Sequence, residues 1–289
     1  VVLFDLPAKE GPKNGIVTRA VEGLKNLKPS PLGVADDAAL IGQANYEEHL
    51  PLLAECDLVI EAIAERMDWK NDLYSKIGPF LASTAIVASN TSGLSINTLA
   101  DTLPAAIRPR FCGIHFFNPP RYMHLVEIIP TRSSDASTLD ALETWLTSRL
   151  GKGVIRALDT PNFVANRIGV FSILAVMHHT HRLDLGFDTV DALTGPKIGR
   201  PSSATFRTGD VVGLDTLVKV AKGVADNCPH DEAKEQFNIP AWLDKMIANN
   251  WLGDKTGQGF FKKMPPSPKG EKEIHTLDLE SMEYKKKKK

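Results

Sequence analysis

Short apolar runs alternate with segments of helical period over the first half of the chain. VVLFD at residues 1–5 is nearly all apolar and reads as a buried parallel strand closed by an acid. Helical spacing follows over 14–27, and 45–56 reads as a polar connection. DLVIEAI at 57–63 is a second buried strand. Residues 67–81 carry helical spacing, AIVASN at 85–90 a third strand, 94–103 a helix and 111–117 a fourth strand. VEIIP at 126–130 and GVIRALD at 153–159 extend the sheet, with a helix over 136–150 between them. Strands and helices alternating at this spacing predict βαβ units in an α/β, mostly parallel, doubly wound sheet.

The texture changes beyond Asp159–Pro161. FVANRIGVFSILAVMHHTHRL, starting at Phe163, is apolar on one face and has no strand signature. Helices are also predicted over 188–194, 210–226 and 240–250, so this half reads as an all-α domain. After Phe261, PPSPKGEKE has linker composition, and TLDLESMEYKKKKK closes no obvious domain. The expected organisation is a sheet domain over 1–160, a helical domain over 161–262 and a linker-like tail over 263–289. VVLFD has no lead-in and reads as the inside of a domain, as expected of a piece of a longer polypeptide.

Composition removes several classes of function. A net charge of −1 over 289 residues gives no electrostatic case for nucleic acid. The basic run Lys285–Lys289 reads as a solvated tail. Cys56, Cys112 and Cys228 have neither metal nor disulfide spacing and fit a reducing, cytoplasmic compartment. His178, His179 and His181 lie in mid-helix at a spacing unsuited to a metal pair, and no metal is expected. No apolar run approaches the roughly 20 residues that span a bilayer.

The candidate chemistry sits at strand ends. An acid after an apolar strand can be a plain strand terminus. In a dinucleotide fold, however, Asp5 would bond the adenosine ribose hydroxyls and favour NAD over NADP. The GxGxxG loop that would precede such an acid occurs nowhere in the sequence. Glu61 and Glu65 follow the second buried strand, either as solvated acids or as part of a cofactor crevice. Lys70, one turn beyond Glu65, is placed to reach a phosphate. Ser89-Asn90-Thr91-Ser92 reads as a turn and helix cap. It also offers Asn90 to a nicotinamide and the Ser92 hydroxyl to a substrate oxygen. In GIHFFNPPRYMHLVEIIP, two strand-like pieces joined by a Pro-Pro bend bring His115 and Glu127 face to face, with Asn118 beside them. An imidazole held by a carboxylate is a general acid/base unit.

These motifs, VVLFD, EAIAE, ASNTSGL, GIHFFNPP…LVE, DTPNFVANRIG, VVGLD and KTGQGFF, resemble in one order those of the L-3-hydroxyacyl-CoA dehydrogenases of fatty-acid β-oxidation. The resemblance covers about residues 1–262. It implies a Rossmann-like domain followed by a helical one, NAD as cofactor, an acyl-CoA substrate and a homodimer built through the helices. It also implies His115 as base, Glu127 as its orienting carboxylate, and Ser92, Asn118 and Asn166 around the substrate oxygen. Asp5, Glu65, Lys70 and Asn90 resemble cofactor-contacting positions. GRPSSATFRTGDVVGLD resembles the version in long bacterial fusions, where an enoyl-CoA hydratase domain follows. Two alternatives stand beside this reading: a dehydrogenase of 3-hydroxybutyryl-CoA or a free 3-hydroxy acid, and a catalytically silent fragment lacking the pyrophosphate loop.

Overall fold

The computed structural model describes residues 1–265 and 273–286, and it divides into two compact units, Val1–Asp159 and Thr160–Lys289. In the first unit, strands β3 (Leu58–Glu61), β4 (Ile86–Ser89), β5 (Phe111–Phe116), β6 (Leu125–Pro130) and β7 (Gly153–Arg156) form one sheet in that order. Every pair is parallel except β5 with β6, which are antiparallel. Two successive strands joined by a short connection can pair only in that sense. The centre of the sheet is dry: Ala88, Phe111, Cys112, Ile114, Val126 and Ile128 are fully buried. These positions are the apolar runs of the sequence, as a sheet covered on both faces requires.

Helices α1 (Gly15–Leu24), α2 (Met67–Ile77), α3 (Ile96–Asp101) and α4 (Ala136–Leu150) connect the strands. Gly151, at φ 63°, closes α4 in the left-handed conformation that glycine adopts without strain. Gly113 admits a close approach of α3 to β5: a Cβ there would lie 2.8 Å from Ile96 Cδ1.

Two expectations need correction here. Strand β1 (Val2–Asp5) is not buried; Leu3 is 39% exposed and Asp5 is exposed. It pairs parallel with β2 (Gly42–Asn45) in a separate two-stranded sheet. The polar connection expected over 45–56 instead starts at the end of β2 and contains a 3-10 segment, Leu50–Glu55, that buries Leu50 and Leu53.

The second unit is built on helices α5 (Ala165–Arg182), α6 (Phe187–Thr194), α7 (Phe206–Val212), α8 (Leu214–Asn227) and α9 (Ala241–Ala248). Its core gathers Leu174, Met177, Phe187, Phe206, Leu217 and Phe260. The helix expected over 210–226 is two helices meeting at Gly213, whose φ of 95° no helix accommodates. The unit is also not purely helical. Strands β8 (Phe261–Lys263), β9 (Ile274–Leu277) and β10 (Tyr284–Lys286) form an antiparallel sheet in the order β10-β9-β8. Leu277 is buried in the helical core, and Tyr284 Oη donates to the Gly259 carbonyl at 2.6 Å. The described part of the expected tail is therefore part of the fold, with Lys285 paired to Asp278 and Lys286 to Glu273. The rest of the linker-like stretch, residues 266–272, and the final residues 287–289 lie outside the described residues. No described helix is long and apolar enough to cross a membrane.

Candidate active site

The register of β5 on β6 sets His115 directly opposite Glu127. Opposed residues of an antiparallel pair project from the same face of the sheet, within side-chain reach. His115 Nδ1 lies 2.6 Å from Glu127 Oε2. The carboxylate can only accept, so Nδ1 donates and the ring's basic nitrogen is Nε2. Glu127 is fully buried and His115 nearly so, and the Phe117 ring packs 4.5 Å from the imidazole centroid. The Asn90 side chain reaches across from the end of β4, its Oδ1 accepting from the Phe116 N–H at 3.0 Å. The strand end that carries His115 is thereby tied to its neighbour.

Two strands from β5, at the end of β3, Glu61 collects four donors. Its Oε1 accepts from the Ile63 N–H at 2.7 Å and Lys70 Nζ at 2.6 Å; its Oε2 accepts from Tyr74 Oη at 2.9 Å and Ser89 Oγ at 2.7 Å. Burial, together with the Glu61 charge, pushes the Tyr74 phenol far above its ordinary value. This cluster corrects the reading of Lys70 as a phosphate ligand. The side chain has no exposure, and its ammonium is committed to Glu61. A buried carboxylate needs such a partner, and Lys70 supplies it.

Glu65 faces the turn after β4. Its Oε1 accepts from Thr91 Oγ1 and from the N–H groups of Ser92 and Gly93. Ser92 and Asn118 are exposed, Asn118 in the loop between β5 and β6. That loop is held from beneath by Lys152, a residue that sequence reasoning missed. Its buried ammonium donates to the carbonyls of Pro120 at 2.5 Å and Met123 at 2.8 Å. A lysine in Gly-Lys-Gly between a helix and a strand carries no signal of that role. Asp159, read only as a domain boundary, receives the start of α3. Asn166 stands in the first turn of α5 in the second unit, half-buried.

Asp5, Glu61, Ser89 and Phe116 end β1, β3, β4 and β5, and open parallel sheets bind ligands outside such carboxyl ends. Asp5 is exposed and uses Oδ1 to accept from the Leu6 N–H at 2.7 Å. Burial raises the Tyr46 phenol above its usual value, and the charges of Asp5 and Glu61 add to the shift. The residues present fit the ribose and nicotinamide parts of a dinucleotide. None of those named here fits its pyrophosphate.

Two family models match the chain: "3-hydroxyacyl-CoA dehydrogenase, NAD binding domain" over residues 11–160, and "3-hydroxyacyl-CoA dehydrogenase, C-terminal domain" over 163–263. A probable 3-hydroxyacyl-CoA dehydrogenase of Bacillus subtilis is 40% identical over 92% of this chain and 33% of its own length. A putative fatty acid oxidation complex trifunctional enzyme of Rickettsia prowazekii is 36% identical over 98% of this chain and 39% of its own. The chain thus spans between a third and two fifths of these relatives. The crystal structure of an (S)-3-hydroxybutyryl-CoA dehydrogenase from Ralstonia eutropha superposes with a TM-score of 0.69 at 29% identity, covering 85% of this chain and 83% of that one. With both of its units matched in order, this chain belongs to the 3-hydroxyacyl-CoA dehydrogenase family.

Proposed function

We propose that the protein carrying this chain interconverts L-3-hydroxyacyl-CoA and 3-ketoacyl-CoA with NAD, as a step of fatty-acid β-oxidation. The observation that carries the proposal is the His115–Glu127 pair, closed at 2.6 Å at the carboxyl end of β5. In the oxidative direction His115 Nε2 takes the proton of the C3 hydroxyl as the carbonyl forms. NAD, when bound, accepts the hydride. Glu127 keeps the proton on Nδ1 and stabilises the imidazolium, the part a carboxylate plays in a Ser-His-Asp triad. Ser92, Asn118 and Asn166 are assigned to the substrate's oxygens. Asp5, Glu65 and Asn90 are assigned to the cofactor side, with Lys70 acting there only through Glu61.

Several finer assignments belong to the same proposal. The Rickettsia relative's name and the share of it covered support a longer parent polypeptide with a fused enoyl-CoA hydratase. Exposed Ile168, on α5, and Val211, on α7, support a homodimer through the helical unit. Unpaired cysteines support a cytoplasmic location in a bacterium. The Ralstonia likeness keeps 3-hydroxybutyryl-CoA among the substrates to be compared.

The test is NADH-linked reduction of acetoacetyl-CoA and longer 3-ketoacyl-CoA esters, run on this chain and on its parent polypeptide, with titration of NADH by calorimetry. Turnover with micromolar NADH binding is expected, and His115→Gln should lower kcat by about 10²–10⁴-fold without weakening NADH binding. Near-normal turnover in that variant would sink the assignment of the base. Absence of NADH binding to this chain, with binding by its parent, would favour the silent-fragment reading; absence in both would count against NAD as the cofactor.

A further inference from the structure

Ser92 lies in a stretch, Thr91–Ser95, that belongs to neither β4 nor α3. An exposed hydroxyl on such a stretch has no defined position unless its backbone is held from outside. Here two carboxylates from distant parts of the chain hold it on either side. Upstream, Glu65 Oε1 receives Thr91 Oγ1 at 2.5 Å and the N–H groups of Ser92 and Gly93 at 3.0 Å each. Downstream, Asp159 Oδ1 receives the Ile96 N–H at 2.9 Å. Asp159 Oδ2 receives Ser95 Oγ at 2.8 Å, the Asn97 N–H at 2.9 Å and Asn97 Nδ2 at 2.7 Å. Ser95 Oγ in turn accepts from the Thr98 N–H, so the Asp159 contact is continuous with the cap of α3.

The arrangement has a chemical consequence. The N–H groups of Ser92 and Gly93 are spent on Glu65, so they are not available as a backbone oxyanion hole. The Ser92 side chain is left as a donor this turn can offer a substrate oxygen, and its reach depends on where the backbone is held. Burial alone would raise the Asp159 carboxyl, but the N–H groups of Asn97 and Ile96, together with the side chains of Ser95 and Asn97, hold the group below the ordinary carboxylate range. The anchor therefore stays charged throughout the neutral range.

We propose that Asp159 is a positioning residue for Ser92, acting through Ser95, Ile96 and Asn97. The proposal rests on the reading of Ser92 as a substrate contact. Asp159→Asn keeps one oxygen for Ile96 but sets an amide donor, or a lost charge, against the three donors now met by Oδ2. Relaxation of the turn by about 1 Å should cost 10–100-fold in turnover, the penalty typical of misplaced positioning groups.

A double-mutant cycle tests it. Ser92→Ala, Asp159→Asn and the combination are compared in kcat, KM and NADH affinity, with Ser95→Ala as a gentler route to the same anchor should Asp159→Asn fold poorly. The expected result is that Asp159→Asn lowers kcat about 10-fold or more in the native background but less than about 2-fold when Ser92 is already alanine, because coupled residues are non-additive. NADH affinity should not change. Equal losses in both backgrounds would show Asp159 to be merely structural and overturn the proposal, while leaving Ser92 as a substrate contact. If Ser92→Ala itself has no effect on turnover, the reading of Ser92 falls and the proposal falls with it.

Discussion

Two buried carboxylates in the same sheet each hold a nitrogen of a basic side chain at 2.6 Å, and the proposed function gives the two pairs different roles. Glu61 on β3 grips Lys70; Glu127 on β6 grips His115. Glu61 has both oxygens filled by four donors, three of them from Ile63, Tyr74 and Ser89. It is the hub of a structural cluster between a strand and the helix that packs on it. The Glu127 pair is made across a strand ladder at the carboxyl end of β5, where parallel sheets place their ligands. A lysine ordinarily keeps its proton at neutral pH, whereas an imidazole exchanges one there. Burial and a carboxylate partner thus do not by themselves mark chemistry; the proposal for His115 rests on the identity of the base and its place on the strand.

Changing one member of each pair should separate the two roles. Glu127→Gln leaves His115 beside a neutral partner that no longer compels the Nδ1–H tautomer or stabilises an imidazolium. Turnover should fall by about 10²–10⁴-fold, the range of general acid/base contributions. Lys70→Met should instead act on folding. It leaves Glu61 charged, buried and without a cation, at a cost of about 3–5 kcal/mol in urea unfolding. The double change Glu61→Gln with Lys70→Met should recover much of that loss, since no uncompensated charge remains. A Lys70→Met protein that stays as stable as the native one but loses turnover as severely as Glu127→Gln would break the distinction.

How each pair came to be legible follows from the same difference. His115 and Glu127 are twelve residues apart on two apolar runs joined by a Pro-Pro bend, so the short connection alone dictates their register. The burial of Lys70 is not legible in the sequence, because a lysine one turn beyond an acid usually faces water. Only the parallel pairing of β3 with β4, which sets Ser89 opposite Glu61, closes the pocket that swallows it. Strand β2, GQAN, has no apolar alternation and exists because β1 lies beside it. Strands β8 and β10 are three residues each, too short to show a period. The contacts of Asp159 span more than sixty residues of sequence and leave no local trace beyond the serine that caps α3. The five strands of the main sheet and the long helix α5 are readable because each buries apolar side chains.

A third buried carboxylate sharpens the comparison, because it is held by backbone and not by a base. Asp210, at the middle of α7, accepts from the Phe260 N–H at 2.8 Å and the Phe261 N–H at 2.9 Å and is 1% exposed. Gly259 is required beside it, since a Cβ there would sit 2.0 Å from its Oδ1. Burial pushes the carboxyl up to about 6 from 3.8, against the pull of those two N–H groups. The folded protein therefore holds a proton that the unfolded chain gives up between 3.8 and about 6. Stability from this group is present below that window and declines as pH rises through it, by about 1–2 kcal/mol after allowing for partial solvation. Asp210→Asn cannot titrate, so unfolding free energies measured from pH 4 to 7 should converge on, or cross, those of the native protein as the pH rises. Curves that run parallel would mean that two N–H donors suffice to keep the buried carboxylate charged. Glu61 would then need Lys70 less than its geometry implies.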